Sequence, residues 1–234
     1  MDRGRPGGDH RAFGPVWCAG GVTASERPGR TFDAVLCDLD NVIRFYDMTP
    51  LSARERAAGV PEGITAELAY APAVDLPLLL GRATTQEWVA SVTSALVARV
   101  RLAPARAREL AQALADAPFR ADAAVVALLR RLPEGMPLVL VTNATLDLER
   151  DLEAMGLADL ADHVVSSARE GVAKPDRAIY DIAVARAGVA ADRCLFVDDR
   201  RENVEAATAL GMTGLHYRRP ADLHGVLGPL VATG

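Results

Sequence analysis

Four short runs of apolar or nearly apolar residues stand out along the chain: Ala34-Val35-Leu36-Cys37, Leu138-Val139-Leu140-Val141, His163-Val164-Val165-Ser166 and Cys194-Leu195-Phe196-Val197. A weaker fifth follows at Gly214-Leu215-His216-Tyr217. Short apolar runs without polar alternation read as strands buried on both faces. Between them, residues 144–155, 176–188 and 201–211 carry apolar positions at three- and four-residue spacing, such as Ile179, Ile182, Ala183 and Ala187, which predicts helices. Strands alternating with helices predict an α/β fold built on a parallel sheet with helices on both faces.

Between the first and second strands lie about 95 residues, far more than one crossover helix requires. Thr84-Thr85-Gln86-Glu87 is a capping-box pattern opening a helix with Trp88, Val89, Val92, Leu96 and Val100 on one side. Pro104 opens another that carries Leu110 and Leu114, and Leu51 to Val60 and Ile64 to Tyr70 predict two more. The insertion, 46–118, therefore reads as a helical cap, with Asp122 to Leu132 as the helix leading back to the sheet. The core is expected over 31–45 and 119–234. Residues 1–30, rich in Gly, Arg and Pro without apolar periodicity, are expected to be a flexible tail.

Composition narrows the classes of function. Half of the 234 residues are apolar and the formal net charge is only -5. The basic pairs Arg130-Arg131, Arg200-Arg201 and Arg218-Arg219 lie far apart in the sequence, so nucleic acid is not expected as a partner. No apolar run approaches the roughly 20 residues that cross a bilayer, and no signal-peptide pattern opens the chain. Cys18, Cys37 and Cys194 lack CxxC spacing, which fits a cytoplasmic location. His10, His163, His216 and His224 show no zinc-ligand spacing. Lys174 is the single lysine among 26 basic residues, and asparagine occurs only at 41, 143 and 203; all four positions fall in or beside the motifs that follow.

In open parallel sheets ligands bind beyond the carboxyl ends of the strands. Here those ends are polar: Asp38-Leu39-Asp40-Asn41 after the first strand, Thr142-Asn143 after the second, Lys174-Pro175 beyond the third and Asp198-Asp199 after the fourth. Singly, each has a structural explanation as turn, cap or solvated surface. Together, four carboxylates, one hydroxyl and one ammonium are expected to converge on one sheet edge, with a negative excess of about three charges that calls for a cation. All-oxygen ligands suit Mg²⁺.

The order Asp-x-Asp, Thr-Asn, Lys-Pro, Asp-Asp, with a helical insertion after the first motif, resembles the haloacid dehalogenase-like hydrolases with a small α-helical cap, over about residues 32–219. The resemblance implies a Rossmann-like core and an enzyme, a Mg²⁺-dependent phosphatase acting on a small phosphorylated metabolite, as monomer or homodimer. It implies Asp38 as nucleophile and Mg²⁺ ligand, and Asp40 as general acid and base that also offers its backbone carbonyl to the metal. Thr142 and Lys174 would hold the phosphoryl oxygens with Asn143 in support, and Asp199 would be a direct metal ligand with Asp198 the outer partner. The family commonly has glycine after the second Asp; this chain has Asn41, which tolerates the left-handed backbone better than most residues. Arg44, Tyr46 and Trp88 are candidates for the entrance, with Trp88 also readable as core. A phosphomutase would use the same motifs, a 2-haloacid dehalogenase would not need Asp40, and a receiver-like phosphoacceptor module would carry its acidic pair on the first strand and its phosphoacceptor later.

Overall fold

The computed structural model describes residues 31–232; the expected tail at 1–30, with His10 and Cys18, lies outside them. Five strands, β1 (Ala34–Cys37), β4 (Leu138–Thr142), β5 (His163–Ser166), β6 (Cys194–Asp198) and β7 (Thr213–His216), form one sheet in the order β5-β4-β1-β6-β7 with every pairing parallel. Ranked by their order in the chain, these strands lie 3-2-1-4-5. This is the Rossmann arrangement, not the 2-1-3-4-5 order of flavodoxin-like and receiver folds.

The apolar runs of β1, β4 and β6 form strands because both faces of each are covered. Val35, Cys37, Leu138, Leu140, Leu195 and Val197 point into one core layer, and Ala34, Leu36, Val139, Val141, Cys194 and Phe196 into the other, the period-two alternation of a pleated strand. Helices α6 (Ala123–Leu129), α7 (Leu148–Ala154) and α11 (Pro220–Val231) supply the first layer through Leu128, Leu148 and Leu223. Helices α9 (Arg177–Ala187) and α10 (Arg201–Ala209) supply the second through Ile179, Tyr180 and Ala207. A one-turn helix, α8 (Ser167–Glu170), follows β5.

The long connection after β1 first forms β2 (Arg44–Tyr46) and returns through β3 (Phe119–Ala121), the two pairing antiparallel. Between them run α1 (Thr49–Ala57), α2 (Ile64–Ala69), α3 (Pro72–Leu79), α4 (Thr85–Val100) and α5 (Pro104–Ala115). These helices have an apolar core of their own, including Leu51, Trp88, Val92, Leu96, Leu110 and Leu114. The capping box forms as expected: Thr84 Oγ1 accepts from Glu87 N (3.2 Å), and Glu87 Oε2 accepts from Thr84 N (2.7 Å). Glu55 is fully buried and its carboxylate accepts from Gly63 N and Thr65 N (2.7 and 2.9 Å), capping α2 from α1.

Two contacts seat the helical insertion on the sheet domain. Thr85 Oγ1 donates to Asp147 Oδ2 (3.2 Å). Gly81, at φ 66°, lies so close to Ala168 that a Cβ there would sit 2.4 Å from its carbonyl oxygen. No helix among the described residues is long and apolar enough to cross a membrane.

Candidate active site

The polar residues at the carboxyl ends of β1, β4 and β6 meet where the strand order changes direction, at β1. Asp38 directly follows β1 and is buried; its Oδ1 accepts from Leu39 N (2.7 Å) and from Lys174 Nζ (2.8 Å). The second contact of Lys174 Nζ is Asp198 Oδ2 (2.7 Å). Lys174 is only 5% exposed, so the sole lysine is a buried bridge between two carboxylates, not a solvated surface residue. Asn143 holds it there by a two-way clasp: its Oδ1 accepts from Lys174 N (2.8 Å) and its Nδ2 donates to Lys174 O (3.0 Å). Asn143 therefore does not cap a helix, and the helix expected over 144–155 begins only at Leu148, because Ala144 N donates to Ser167 Oγ instead (3.1 Å).

Asp198 is fully buried. Besides Lys174 it accepts from Arg200 N (2.8 Å) and, on both oxygens, from Asn203 Nδ2 (3.0 Å each). Asp199, half-buried, accepts from Asn41 Nδ2 (3.0 Å), and its carbonyl contacts His216 Nε2 (2.9 Å). Asn41 takes the left-handed conformation (φ 60°), so asparagine does stand in for glycine at this turn. Thr142 is fully buried and its Oγ1 makes no hydrogen bond, an orphan hydroxyl in the wall of the cavity over Asp38.

Asp38, Asp198 and Asp199 each offer an oxygen within 4.8 Å of the others. Three carboxylates against the single Lys174 ammonium leave an excess of two negative charges at this point. Burial pushes the Asp38 carboxyl upward, against the pull of Lys174, with Asp198 adding to the rise. Burial and the neighbouring Asp198 likewise raise Asp199, with Asn41 opposing. Burial disfavours the Lys174 charge, but the two carboxylates outweigh it and hold the ammonium above its ordinary value. An all-oxygen cluster with surplus negative charge beside an orphan hydroxyl fits a hard divalent cation and an oxyanion.

Asp40 lines the same cavity but lies outside the cluster of Asp38, Asp198 and Asp199. It is paired with Arg44 four residues on: Nε and Nη2 donate to its two oxygens (2.6 and 3.0 Å), and Nη1 donates to Asp151 Oδ2 on α7 (2.9 Å). Arg44 is 3% exposed and lies 5.1 Å from the Tyr46 ring centre and 5.6 Å from that of Phe119. The sequence marked Arg44 and Tyr46 only as entrance candidates and passed over Asp151, which is 107 positions from Arg44. Trp88 is buried in the insertion core yet also borders the cavity.

A 3-2-1-4-5 parallel sheet carrying a carboxylate–lysine–carboxylate bridge just beyond its central strand, with helices inserted immediately after it, defines a Rossmann-like α/β protein with an acidic centre at its topological switch point. The chain belongs to the haloacid dehalogenase-like hydrolases, whose family model matches residues 32–211. It is 39% identical over 100 residues to the sesquiterpene phosphatase astK of Aspergillus oryzae, a stretch covering 42% of this chain and 51% of that one. It is 35% identical over 125 residues to a phosphoserine phosphatase of Thermus thermophilus, covering 50% of this chain and 49% of that one. The matched region thus spans about half the length of these relatives. A HAD family enzyme of Bacteroides thetaiotaomicron, solved in complex with magnesium and inorganic phosphate, shares the fold at TM-score 0.58 and 17% identity, over 78% of this chain and 92% of its own. L-2-haloacid dehalogenase structures share the fold as well.

Proposed function

We propose that the protein is a Mg²⁺-dependent phosphatase that hydrolyses a small phosphate monoester through a phosphoaspartate on Asp38. The observation that carries this reading is the Lys174 bridge between Asp38 and Asp198, with Asp199 completing an acidic cluster and the Thr142 hydroxyl left unpartnered beside it. Phosphoryl transfer needs an in-line nucleophile, neutralised equatorial oxygens and a proton for the leaving group. Asp38 is the nucleophile, and Lys174 Nζ and Thr142 Oγ1 bind phosphoryl oxygens. Asp38, Asp199 and the Asp40 carbonyl would hold Mg²⁺. When bound, the cation supplies charge neutralisation to the transferring group. Asp198, whose oxygens are taken up by Lys174, Arg200 N and Asn203, suits the outer position better than direct ligation.

In the first half-reaction a carboxylate oxygen of Asp38 bonds to phosphorus, the ester P–O bond breaks, and Asp40 gives a proton to the departing alkoxide. In the second, Asp40 takes a proton from water, the water oxygen bonds to phosphorus, and the Asp38–phosphorus bond breaks to release phosphate. Asp40 must exchange Arg44 for the leaving group to do this, and Arg44 keeps Asp151 as partner when it does. The helical insertion excludes water and selects the ester. The relatives' phosphatase names agree on the bond cleaved and differ in the alcohol.

The shared fold of the dehalogenases favours one second reading, displacement of halide from a 2-halo acid, in which no leaving-group proton is needed. Kinetics of wild type and Asp40→Asn on an alkyl and a nitrophenyl phosphate separate the two, alongside chloride release from 2-chloropropionate. Phosphatase action predicts turnover abolished by chelation, and a loss in Asp40→Asn of about 10²–10⁴-fold on the alkyl ester, smaller on the nitrophenyl ester. Chloride release with both phosphate esters untouched refutes it.

A further inference from the structure

The cavity over Asp38 has a volume of about 1220 Å³, above the roughly 300–1,000 Å³ of small-molecule sites and far more than a phosphoryl group fills. On the side of the hairpin and the insertion its walls include Tyr46, Met48, Tyr70, Leu79 and Phe119, beside the polar Asp75, Thr85 and Asp116. Tyr46 and Phe119 pack edge to face with ring centres 5.7 Å apart, and the residues Tyr46 and Tyr70 remain 37% and 53% exposed. Aromatic surface held open to water beside a reaction centre gains free energy when an apolar body covers it.

Charge in the same cavity points the same way. Beyond Lys174, each lining cation already has a carboxylate: Arg44 has Asp40 and Asp151, Arg150 has Asp147 at 3.5 Å and Asp151 at 3.9 Å, and Arg200 has Glu202. A leaving group bearing a carboxylate would find no uncommitted cation among them. Asp75, on the insertion wall, is pushed up to about 6 by burial, against the pull of the Trp88 indole and Arg200. A wall that penalises a carboxylate charge to that degree is one an apolar group enters at little loss.

Resting on the phosphatase reading above, we propose that the substrate is the monophosphate of a neutral, predominantly hydrocarbon alcohol, whose body lies against Tyr46, Tyr70 and Phe119. Small alcohols bearing a carboxylate, such as serine, are disfavoured by the same walls, because that carboxylate would be desolvated there without an uncommitted cation.

Steady-state kinetics on n-alkyl monophosphates from ethyl to octyl, with p-nitrophenyl phosphate as reporter of phosphatase action and O-phosphoserine as charged comparator, test this. The kcat/KM is expected to rise by up to about fourfold for each methylene buried, with O-phosphoserine no better than the ethyl ester. Tyr70→Ala, an exposed position whose loss leaves the fold intact, should flatten that dependence. Calorimetric binding of the matching alkyl phosphonates in Mg²⁺ reads the same dependence without turnover. Turnover of p-nitrophenyl phosphate with a flat alkyl series, or with O-phosphoserine preferred, overturns the apolar substrate and leaves the phosphatase standing. Chain-length-dependent phosphonate binding with no ester hydrolysed supports the apolar pocket and refutes the phosphatase.

Discussion

Replacing Asn41 by glycine separates what this residue does for the backbone from what it does for the proposed metal site. Asn41 sits at φ 60° and its Nδ2 donates to Asp199 Oδ2 at 3.0 Å. Glycine relieves the left-handed strain, which is about 1–2 kcal/mol for an ordinary residue and less for asparagine. It returns about 0.5–1 kcal/mol through the greater freedom of the unfolded chain. These terms nearly cancel, so stability in chelator should move by less than about 1 kcal/mol. Metal affinity has no such compensation. Losing a partner that orients a ligating carboxylate lowers affinity by roughly 10–100-fold, and because Asn41 is exposed the lower end applies, about tenfold or 1.4 kcal/mol. Titration calorimetry with Mg²⁺ gives the affinity and urea denaturation in EDTA the stability. Unchanged affinity would show that the Asn41–Asp199 hydrogen bond does not orient a metal ligand. Affinity and stability falling together would make Asn41 a structural residue only.

Lys174→Arg should lower kcat/KM at least about 100-fold, because a planar guanidinium cannot replace a point charge seated between Asp38 and Asp198; wild-type turnover in the folded variant would count against the bridge as a phosphoryl contact. Thr142→Val keeps the shape and removes a buried hydroxyl without a partner, so denaturation should show a gain of about 1 kcal/mol while kcat/KM falls; a loss of stability would mean the hydroxyl is satisfied in the fold. Asp75, with a folded pKa of about 6 above the ordinary carboxylate range, binds its proton more readily folded than unfolded, so its contribution weakens as pH rises through that window. Asp75→Asn should therefore be nearly neutral near pH 4 and, allowing for partial solvent screening, stabilising by about 1 kcal/mol near pH 7.5; equal effects at both pH values would refute the shift. Asp151→Asn leaves Asp40 as the one carboxylate on Arg44 and should slow alkyl esters more than nitrophenyl esters; equal slowing of both would detach Asp151 from the proton transfer.

The three central strands β1, β4 and β6 were legible because each is buried on both faces, so apolar runs such as Leu138-Val139-Leu140-Val141 needed no alternation to be found; the edge strand β7, with no buried position, gave only a weak run. The shorter pieces were not: β2 and β3 have three residues each and hold exposed positions, so their pairing leaves no pattern. Helix α3 contains Pro77, and α11 contains Gly225, Gly228 and Pro229, residues that local propensity counts against a helix and that packing overrides here. Among candidate site residues, motif order reached Asp38, Thr142, Lys174 and the Asp198-Asp199 pair. The scarcity of asparagine pointed to Asn203, whose side chain proves to hold Asp198. The Arg44–Asp151 contact had no signal of either kind, since only the folded chain brings β2 against α7.

The place of Arg44 ties the helical insertion to the proposed proton transfer. Its strand is where the chain leaves the sheet domain, and β3, its partner, is where the chain returns: Arg44 pairs with Ala121, Asp47 N donates to Pro118 O (2.7 Å), and Asp122 N donates to Ile43 O (2.8 Å). Asn41 N donates to Arg44 O (2.8 Å), so the turn carrying Asp40 is fastened to that hairpin. Any displacement of the insertion relative to the sheet acts through β2 and β3, and therefore on the side chain that holds Asp40. Removing every partner from a buried guanidinium costs about 3–5 kcal/mol, which would make Asp40 too tightly held to act. Asp151 changes that balance, because Arg44 retains one carboxylate when it gives up the other. The proposed acid is thus held by a pair that loosens without stranding a buried charge, and the strand that bears Arg44 is hydrogen-bonded to the strand through which the insertion returns to the sheet.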